Sequence, residues 1–222
     1  MYGQSFRKAL YLLLRKLISD NQLDKNMKKS WIVIIIIAVV VLIGYSSVKN
    51  SYNKMVAMSE QVDQQWSNVE NVYQRRADLI PNLVNTVKGY ADFEKQTLTQ
   101  VIEARAKATS VNINPGNLNQ ENLQKFQQAQ GQLSSALSRL MVVVERYPEL
   151  KANQNFLELQ AQLEGTENRI AVERRKFNEA ARNYNTYIRQ FPRNFYANMF
   201  DFEKKAYFEA EKGAEKAPEV KF

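Results

Sequence analysis

The side chains best suited to binding chemistry are two arginines and an acid in the segment 73–90, YQRRADLIPNLVNTVKGY. Arginine presents N–H donors in a planar fork, which suits carboxylate or phosphate recognition and not proton transfer. On a helix, Arg75 and Asp78 lie three residues apart and can form an ion pair worth about 0.3 kcal/mol when exposed. The segment therefore indicates binding or structural pairing, and no reaction follows from it.

Arg76 falls on the apolar face of the same helix. Apolar residues recur in steps of four and three from Val62 to Val101, and Arg76 occupies one place in that series. Its guanidinium could pair with a carboxylate of another helix, such as Glu167 or Glu173. Alternatively its stem packs while the charge reaches water, or it contacts a ligand or partner. The sequence favours the pair between helices.

Pro81 also has two interpretations. Asp78 could cap a new helix with Pro81 in its first turn, where no N–H donor is needed. Alternatively, one long helix continues and kinks at Pro81. The apolar series stays in register across the proline, which favours the kink.

Histidine and cysteine are both absent from the sequence. Their absence excludes disulfides, thiolate metal sites, a thiol nucleophile and the commonest metal ligand and general base. Most acidic residues alternate with lysine or arginine on outward helix positions. We therefore expect no catalytic residues, no cofactor and no metal, and predict that the protein is not an enzyme.

The net charge of +8 is concentrated at the N-terminus. Residues 1–30 hold seven basic and two acidic side chains, a net +5, which leaves +3 for the rest. A basic patch that could follow a phosphate backbone is not evident, so no nucleic-acid partner is predicted.

Residues 31–48, WIVIIIIAVVVLIGYSSV, contain no charged side chain. A membrane-spanning helix needs about 20 mostly apolar residues, and Trp31 and Tyr45 are suited to the two interfaces. The alternative is the core of a signal peptide, but a clear small-residue cleavage site is missing. The excess of lysine and arginine before the span predicts a cytoplasmic N-terminus, with residues 50–222 on the other side.

The arm at residues 1–30 remains open to two interpretations. Phe6, Leu10, Leu13 and Leu17 form an apolar face between basic residues, typical of a helix lying on an anionic leaflet. Alternatively, translation begins at Met27, and residues 1–26 are an extension without a selected role.

Three long segments have the periodicity of amphipathic helices. The first covers 51–110, with only Pro81 and Gly89 as breakers, and a loop rich in Asn, Pro and Gly follows. The second covers 119–147 and the third 149–190.

A short aromatic helix is predicted at 195–211, and a flexible tail at 212–222. The predicted fold is all-α: an antiparallel bundle of three long helices plus the short C-terminal helix, following one N-terminal transmembrane helix. The same spacing is compatible with an intermolecular coiled coil, so a homo-oligomer stays open. The predicted domains are the arm at 1–30, the anchor at 31–48, the bundle at 49–211 and the tail at 212–222.

Aromatic side chains crowd the third and closing helices. Aromatic residues at helical spacing are usually core, and a groove that binds a partner is the sharper alternative. The candidates for such a groove are Tyr184, Tyr187, Phe191, Phe195 and Tyr196.

Four stretches of the chain together carry a resemblance to a known family. They are RRADLIPNLVNTVKGYA (75–91), RYPELKANQNF (146–156), TENRIA (166–171) and YNTYIRQFPRNFYANMF (184–200). In this order behind an N-terminal anchor, they resemble the LemA family of bacterial membrane proteins over about residues 50–222.

The resemblance implies a mostly helical, antiparallel bundle tethered to a bacterial membrane by one N-terminal span. Together with the excess of lysine and arginine before the span, the resemblance leads us to expect the inner (cytoplasmic) membrane, with the bundle on its outer (periplasmic) side. The resemblance implies no catalytic activity, and it suggests an envelope protein as partner. We therefore expect a non-enzymatic scaffold or interaction protein of the envelope. A self-assembling protein that organises or remodels membranes is the alternative, and an enzyme is the weakest of the three.

The predicted orientation can be measured with single cysteines, because the native chain has none. Ser5→Cys and Ser110→Cys variants would each be treated with a membrane-impermeant maleimide in intact cells. We expect labelling at position 110 and protection at position 5, as the positive-inside rule requires. Labelling at position 5 with protection at position 110 would reverse the orientation.

Overall fold

The computed structural model describes residues 29–89 and 94–209. All regular secondary structure in these two ranges is helical. The helices are α1 (Lys29–Lys88), α2 (Lys95–Ser110), α3 (Gln120–Val144), α4 (Pro148–Lys151), α5 (Gln154–Arg189) and α6 (Arg193–Met199), with a 3₁₀ turn at Pro115–Asn117 between α2 and α3. The predicted all-α class is confirmed for this part of the chain.

The predicted membrane span lies in α1. This helix is long and apolar enough to cross a membrane, and its apolar stretch is exposed to the surroundings. The chain divides into two compact units, one ending at Asn50 and the other starting at Ser51. The second unit contains the hydrophobic core. Residues 1–28 of the arm predicted at 1–30, and the tail predicted at 212–222, lie outside the described residues.

The helix predicted over 51–110 was wrong as a single element. Helix α1 ends at Lys88, Gly89 lies in a turn, and α2 begins at Lys95; Tyr90 lies outside the described residues. Glycine costs about 1 kcal/mol inside a helix relative to alanine, so continuing the helix through Gly89 is unfavourable. A chain that turns here can bury the apolar residues of both helices in one cluster, which contains Ile80, Leu83, Val84, Val87, Leu98, Val101, Ala104 and Ala108.

The helix predicted over 149–190 begins later than expected. The single turn α4 comes first, and Asn153 then caps α5 by accepting a hydrogen bond from the Phe156 N–H at 3.0 Å. An N-cap asparagine satisfies one of the free N–H groups of the first turn, which fixes the start of α5.

The closing helix was also wrong in extent. Helix α6 ends at Met199, and residues 202–209 form no regular structure. Their backbone groups bond instead to side chains of α5, among them Asn178, Tyr184 and Asn185. These side chains replace the intrahelical hydrogen bonds that a longer α6 would have made.

Trp66 of α1 is the centre of the core near the start of the second unit. Its indole N–H donates to the Ile113 carbonyl at 3.2 Å, and its ring lies edge-on to Phe126 of α3 and Phe177 of α5, at centroid distances of 5.2 and 5.8 Å. Further along α1, Arg76 contacts Glu167 of α5. The later residue of α1 thus contacts the earlier residue of α5, so these two helices run antiparallel.

Pro81 lies inside α1 and does not begin a new helix. A proline at this position has no N–H for the carbonyl of the residue four places earlier, Ala77. Arg105 of α2 takes that place, because its Nε–H donates to the Ala77 carbonyl at 2.7 Å. The proline thus creates a free acceptor on α1, and α2 satisfies it.

We expect the contributions of Pro81 and Arg105 to be coupled. Arg105→Met should lower the free energy of unfolding by about 1–2 kcal/mol, because the Ala77 carbonyl loses its donor. In a Pro81→Ala background the restored N–H can bond that carbonyl, so the same change should cost about 1 kcal/mol less. A double-mutant cycle by urea unfolding measures the difference.

Lys107→Met is the matched control, since Lys107 is an exposed cation on the same helix. Its effect should be the same with and without Pro81. Equal costs of Arg105→Met in the two backgrounds would show that the bond to Ala77 is unrelated to the proline.

Candidate functional site

Arg76 is almost completely buried, with 2% of its surface exposed, and its guanidinium contacts two neighbouring helices. Its Nη1 donates to the Ser134 hydroxyl of α3 at 2.8 Å and to a Glu167 carboxylate oxygen of α5 at 2.9 Å. Its Nη2 donates to the side-chain and main-chain oxygens of Gln130 at 2.7 and 3.3 Å. This is the inter-helix pair that the sequence favoured, with Glu167 and not Glu173 as the acid.

Gln130 extends the network to a fourth helix. Its side-chain oxygen accepts from Arg76, which leaves its NH₂ free to donate to the Ala108 carbonyl in the last turn of α2 at 3.2 Å. The end of α2 has carbonyls without intrahelical partners, so this bond satisfies one of them. One guanidinium and one amide therefore link α1, α2, α3 and α5.

Tyr73 completes the surroundings of Arg76 one turn earlier on α1. The guanidinium carbon lies 5.0 Å from the centre of the Tyr73 ring, a cation–π distance. Burial raises the pKa of Tyr73, although Arg174 and Arg76 nearby oppose the shift. The phenol therefore stays protonated at neutral pH.

An open notch of about 560 Å³ lies beside this network. Its lining combines the two guanidinium groups of Arg76 and Arg174 with one acid and the serines of one face of α3. Such a lining can hold water or a small carboxylate. Three lining residues that face it from α3 are Ser134, Ser135 and Ser138.

Arg75 and Asp78 are both exposed. Asp78 accepts a hydrogen bond from the Gln74 amide at 2.8 Å. Among the described residues it forms no ion pair with Arg75, so the pair that the spacing allowed is not made. Pro81 is exposed as well, and its effect is on the backbone.

The five aromatic candidates do not form one groove. Tyr184 is buried in the core, and its hydroxyl donates to the Glu203 carbonyl at 2.9 Å. Burial raises the pKa of Tyr184 to about 12, and the carboxylates of Asp63 and Glu203 act in the same direction. The hydroxyl therefore remains a donor over the physiological pH range.

The other four aromatic candidates lie at or near the surface. Phe191 is 88% exposed and Phe195 is 67% exposed, whereas Tyr187 and Tyr196 are half-buried. The guanidinium of Arg193 lies 4.2 Å from the centre of the Tyr187 ring. Aromatic periodicity alone could not separate these residues from Tyr184, because exposure depends on which other elements pack over each side chain.

Sequence reasoning missed four polar residues that the structure uses. Gln130 sits within the apolar series of α3, and Arg105 within that of α2. Asn178 and Asn185 are seven residues apart on α5, so they share a face. Polar residues at helical spacing inside an apolar series were the available signal. Groups of three or more acids close enough to hold a metal ion do not occur in the described ranges.

Comparison with known proteins identifies relatives of the second unit. The sequence model of the LemA family matches residues 65–222. Magnetosome protein MamQ 2 of Paramagnetospirillum magneticum is 30% identical over 175 residues, which cover 71% of this chain and 64% of the relative. Protein LemA of Metamycoplasma hominis is 23% identical over 158 residues, covering 71% of this chain and 68% of the relative. The chain thus matches 64% of the magnetosome protein's length.

We expect Arg76→Met to lower the free energy of unfolding by about 2–4 kcal/mol. The substitution keeps the buried stem but leaves the Gln130 side chain and the Ser134 hydroxyl without their donor. Glu167→Gln should cost less than about 1 kcal/mol, because the Glu167 side chain is 57% exposed and its carboxylate is largely hydrated. Urea unfolding of the full chain in detergent measures both changes.

Arg75→Met is the matched control, since it removes the same charge from the exposed neighbour. Its effect should stay within about 0.5 kcal/mol. Equal losses at positions 75 and 76 would show that the buried network contributes nothing specific.

Proposed function

The chain belongs to the LemA family, and we propose that it is a non-enzymatic, membrane-anchored helical protein whose second unit binds another protein of the bacterial envelope. In this proposal, residues 31–48 anchor the chain in the cytoplasmic membrane as a single span. The N-terminal arm, residues 1–30, is cytoplasmic. Residues 49–211 form an antiparallel bundle on the outer side, and residues 212–222 are a tail.

The apolar surface of the span supports the anchor. The large apolar residues from Trp31 to Ile43, apart from the half-buried Val39, are 39–62% exposed, and none of this apolar stretch is buried within the described part of the chain. A contiguous apolar surface of this length needs lipid or another protein to cover it.

The polar side chains between the helices bond the helices to one another, which supports a role without catalysis. The guanidinium groups of Arg76 and Arg105 bond helices to one another, and Gln130 does the same. The donors Nη1 and Nη2 of Arg76, Nε of Arg105 and the Gln130 amide are thus used in contacts within the fold. A general acid or base needs a free, titrating group beside a substrate.

The exposed aromatic residues at the end of the last helices carry the binding part of the proposal. Phe191 and Phe195 expose most of their side chains, and Met199, one turn after Phe195 on α6, is 53% exposed. We call these three residues the aromatic end. Large apolar side chains exposed together mark contact surfaces, and phenylalanine and methionine are enriched in such surfaces.

Self-assembly that organises membranes is the second candidate function. The observation that favours it is the similarity to proteins named as magnetosome proteins. A monomer in mild detergent, without effect on the shape of liposomes, would argue against it.

The test of the first proposal is crosslinking in intact membranes followed by purification of the full chain. We expect one envelope protein to be crosslinked to the wild type. Phe191→Ser combined with Phe195→Ser should reduce its yield by at least about tenfold, because anchoring aromatic residues contribute most to such interfaces.

Val142→Ser is the matched control, because Val142 is an exposed apolar residue of α3, 71% exposed, away from the aromatic end. Its crosslinked yield should equal that of the wild type. An unchanged yield in the double variant would exclude the aromatic end, and recovery of the chain alone under all growth conditions would exclude the partner.

A further inference from the structure

We propose that the second unit contains a binding groove for an extended peptide, occupied by residues 203–209 of the same chain, and that a second copy can fill it with its own residues 203–209 by exchange. We call these residues the C-terminal segment. The groove is formed by α5, α3, the part of α1 around Asp63 and Trp66, and the loop before α3. It shares no residue with the aromatic end, so this inference stands or falls independently of the proposed partner.

The groove binds the backbone of the C-terminal segment through side-chain amides. Asn185 donates to the Lys205 carbonyl at 2.8 Å and accepts from the Lys205 N–H at 2.9 Å. Asn178 does the same with Phe208, at 2.9 and 2.8 Å. Each asparagine thus satisfies both polar groups of one residue. Bonds to the main chain supply affinity for an extended peptide whatever its side chains.

The spacing of the two asparagines matches an extended peptide. Seven residues of helix separate Asn178 from Asn185, which is about 10.5 Å along α5. Three residues separate Lys205 from Phe208, which is about 10 Å of extended chain. The segment runs antiparallel to α5, and at its end Arg174 and Gln127 bond to the Glu209 carbonyl. Such a match requires both asparagines on one face, two turns apart.

Two side-chain sites give the groove specificity. The ring of Phe208 packs between Trp66 and Phe177, at centroid distances of 6.1 and 5.4 Å, and is 5% exposed. The Lys205 ammonium lies 3.1 Å from the Asp63 carboxylate, with 13% of the Lys205 side chain exposed. The ligand is therefore an extended peptide with a lysine and, three residues later, an aromatic residue.

A second copy is the occupant that the contacts favour. Among the described contacts, the C-terminal segment makes no hydrogen bond within itself. Its bonds go to α1, α3, α5 and the loop, including the Ala206 N–H to the Leu118 carbonyl at 3.2 Å. An identical segment from another copy can replace all of these contacts without loss. Exchange of an identical element is a low-cost route to association for this reason. Asp201, two residues before the segment, is in the left-handed region with φ of 57°, which is uncommon for a residue other than glycine.

The test pairs two full-length variants with different tags in mild detergent. Phe208→Ala weakens the segment and leaves the groove intact. Asn178→Leu combined with Asn185→Leu weakens the groove and leaves the segment intact. When the two proteins are mixed, we expect the intact segment to enter the intact groove, so that the variants co-purify at least about tenfold more than either does with itself.

Asn183→Leu is the matched control, an exposed asparagine on the same helix. Mixed with Phe208→Ala, it should give no gain, because its own segment stays in its own groove. Pairing of the two test variants that is no greater than self-pairing, with both proteins folded, would overturn the exchange.

If either variant loses its helical circular dichroism, the wild-type chain can be used with a protease site inserted after Asp201. After cleavage, a labelled peptide of residues 202–209 should replace the resident segment, and the peptide with Phe208→Ala should bind at least about tenfold more weakly. Failure of the wild-type peptide to enter would overturn the groove. Entry of the peptide without pairing of whole chains would overturn the second copy as its source.

Discussion

The burial of one charged group, the Arg76 guanidinium, constrains the arrangement of the helices. Removing a guanidinium from water costs several kcal/mol unless hydrogen-bond acceptors replace the lost hydration. Ser134 and Gln130 supply them from α3, and Glu167 from α5. Since Ser134 and Gln130 must both lie within hydrogen-bond distance of this group, the register of α1 against α3 is constrained most strongly, and the largely hydrated Glu167 adds a weaker preference from α5. Purely apolar faces would tolerate a shift by one turn far more easily.

The same rule, that every buried polar group needs a partner, explains why α2 lies against α1. Pro81 removes a donor from α1, and Arg105 of α2 supplies one to the carbonyl of the buried Ala77. Ala77 is the residue next to Arg76. Arg76 extends from α1 to α3 and α5, whereas Arg105 extends from α2 to the adjacent position of α1. The proline that looked like a defect of the first helix is therefore part of its contact with the second.

The sequence predicted what depends on local pattern. The helices follow from apolar residues in steps of three and four, and the position of Arg76 in that series predicted a contact with the third long helix. The break at Gly89 could not be predicted in this way, because the apolar series continues past it toward Val101. Whether the chain turns there depends on the area buried by α2 against α1 and α3, which is a tertiary quantity.

Residues 195–209 show the same limit of sequence-based prediction more clearly. Phe195 and Phe208 both lie in a stretch with the composition of an amphipathic helix, yet Phe195 is exposed and Phe208 is packed on Trp66. The difference comes from Asn178 and Asn185, which bond the backbone of the C-terminal segment and so remove the need for a helix. Side chains 20 and 30 residues away along the chain can thus decide the secondary structure of a segment. Because those bonds are made to main-chain groups, the two asparagines that hold the C-terminal segment in the core also have the properties of a site for an extended peptide.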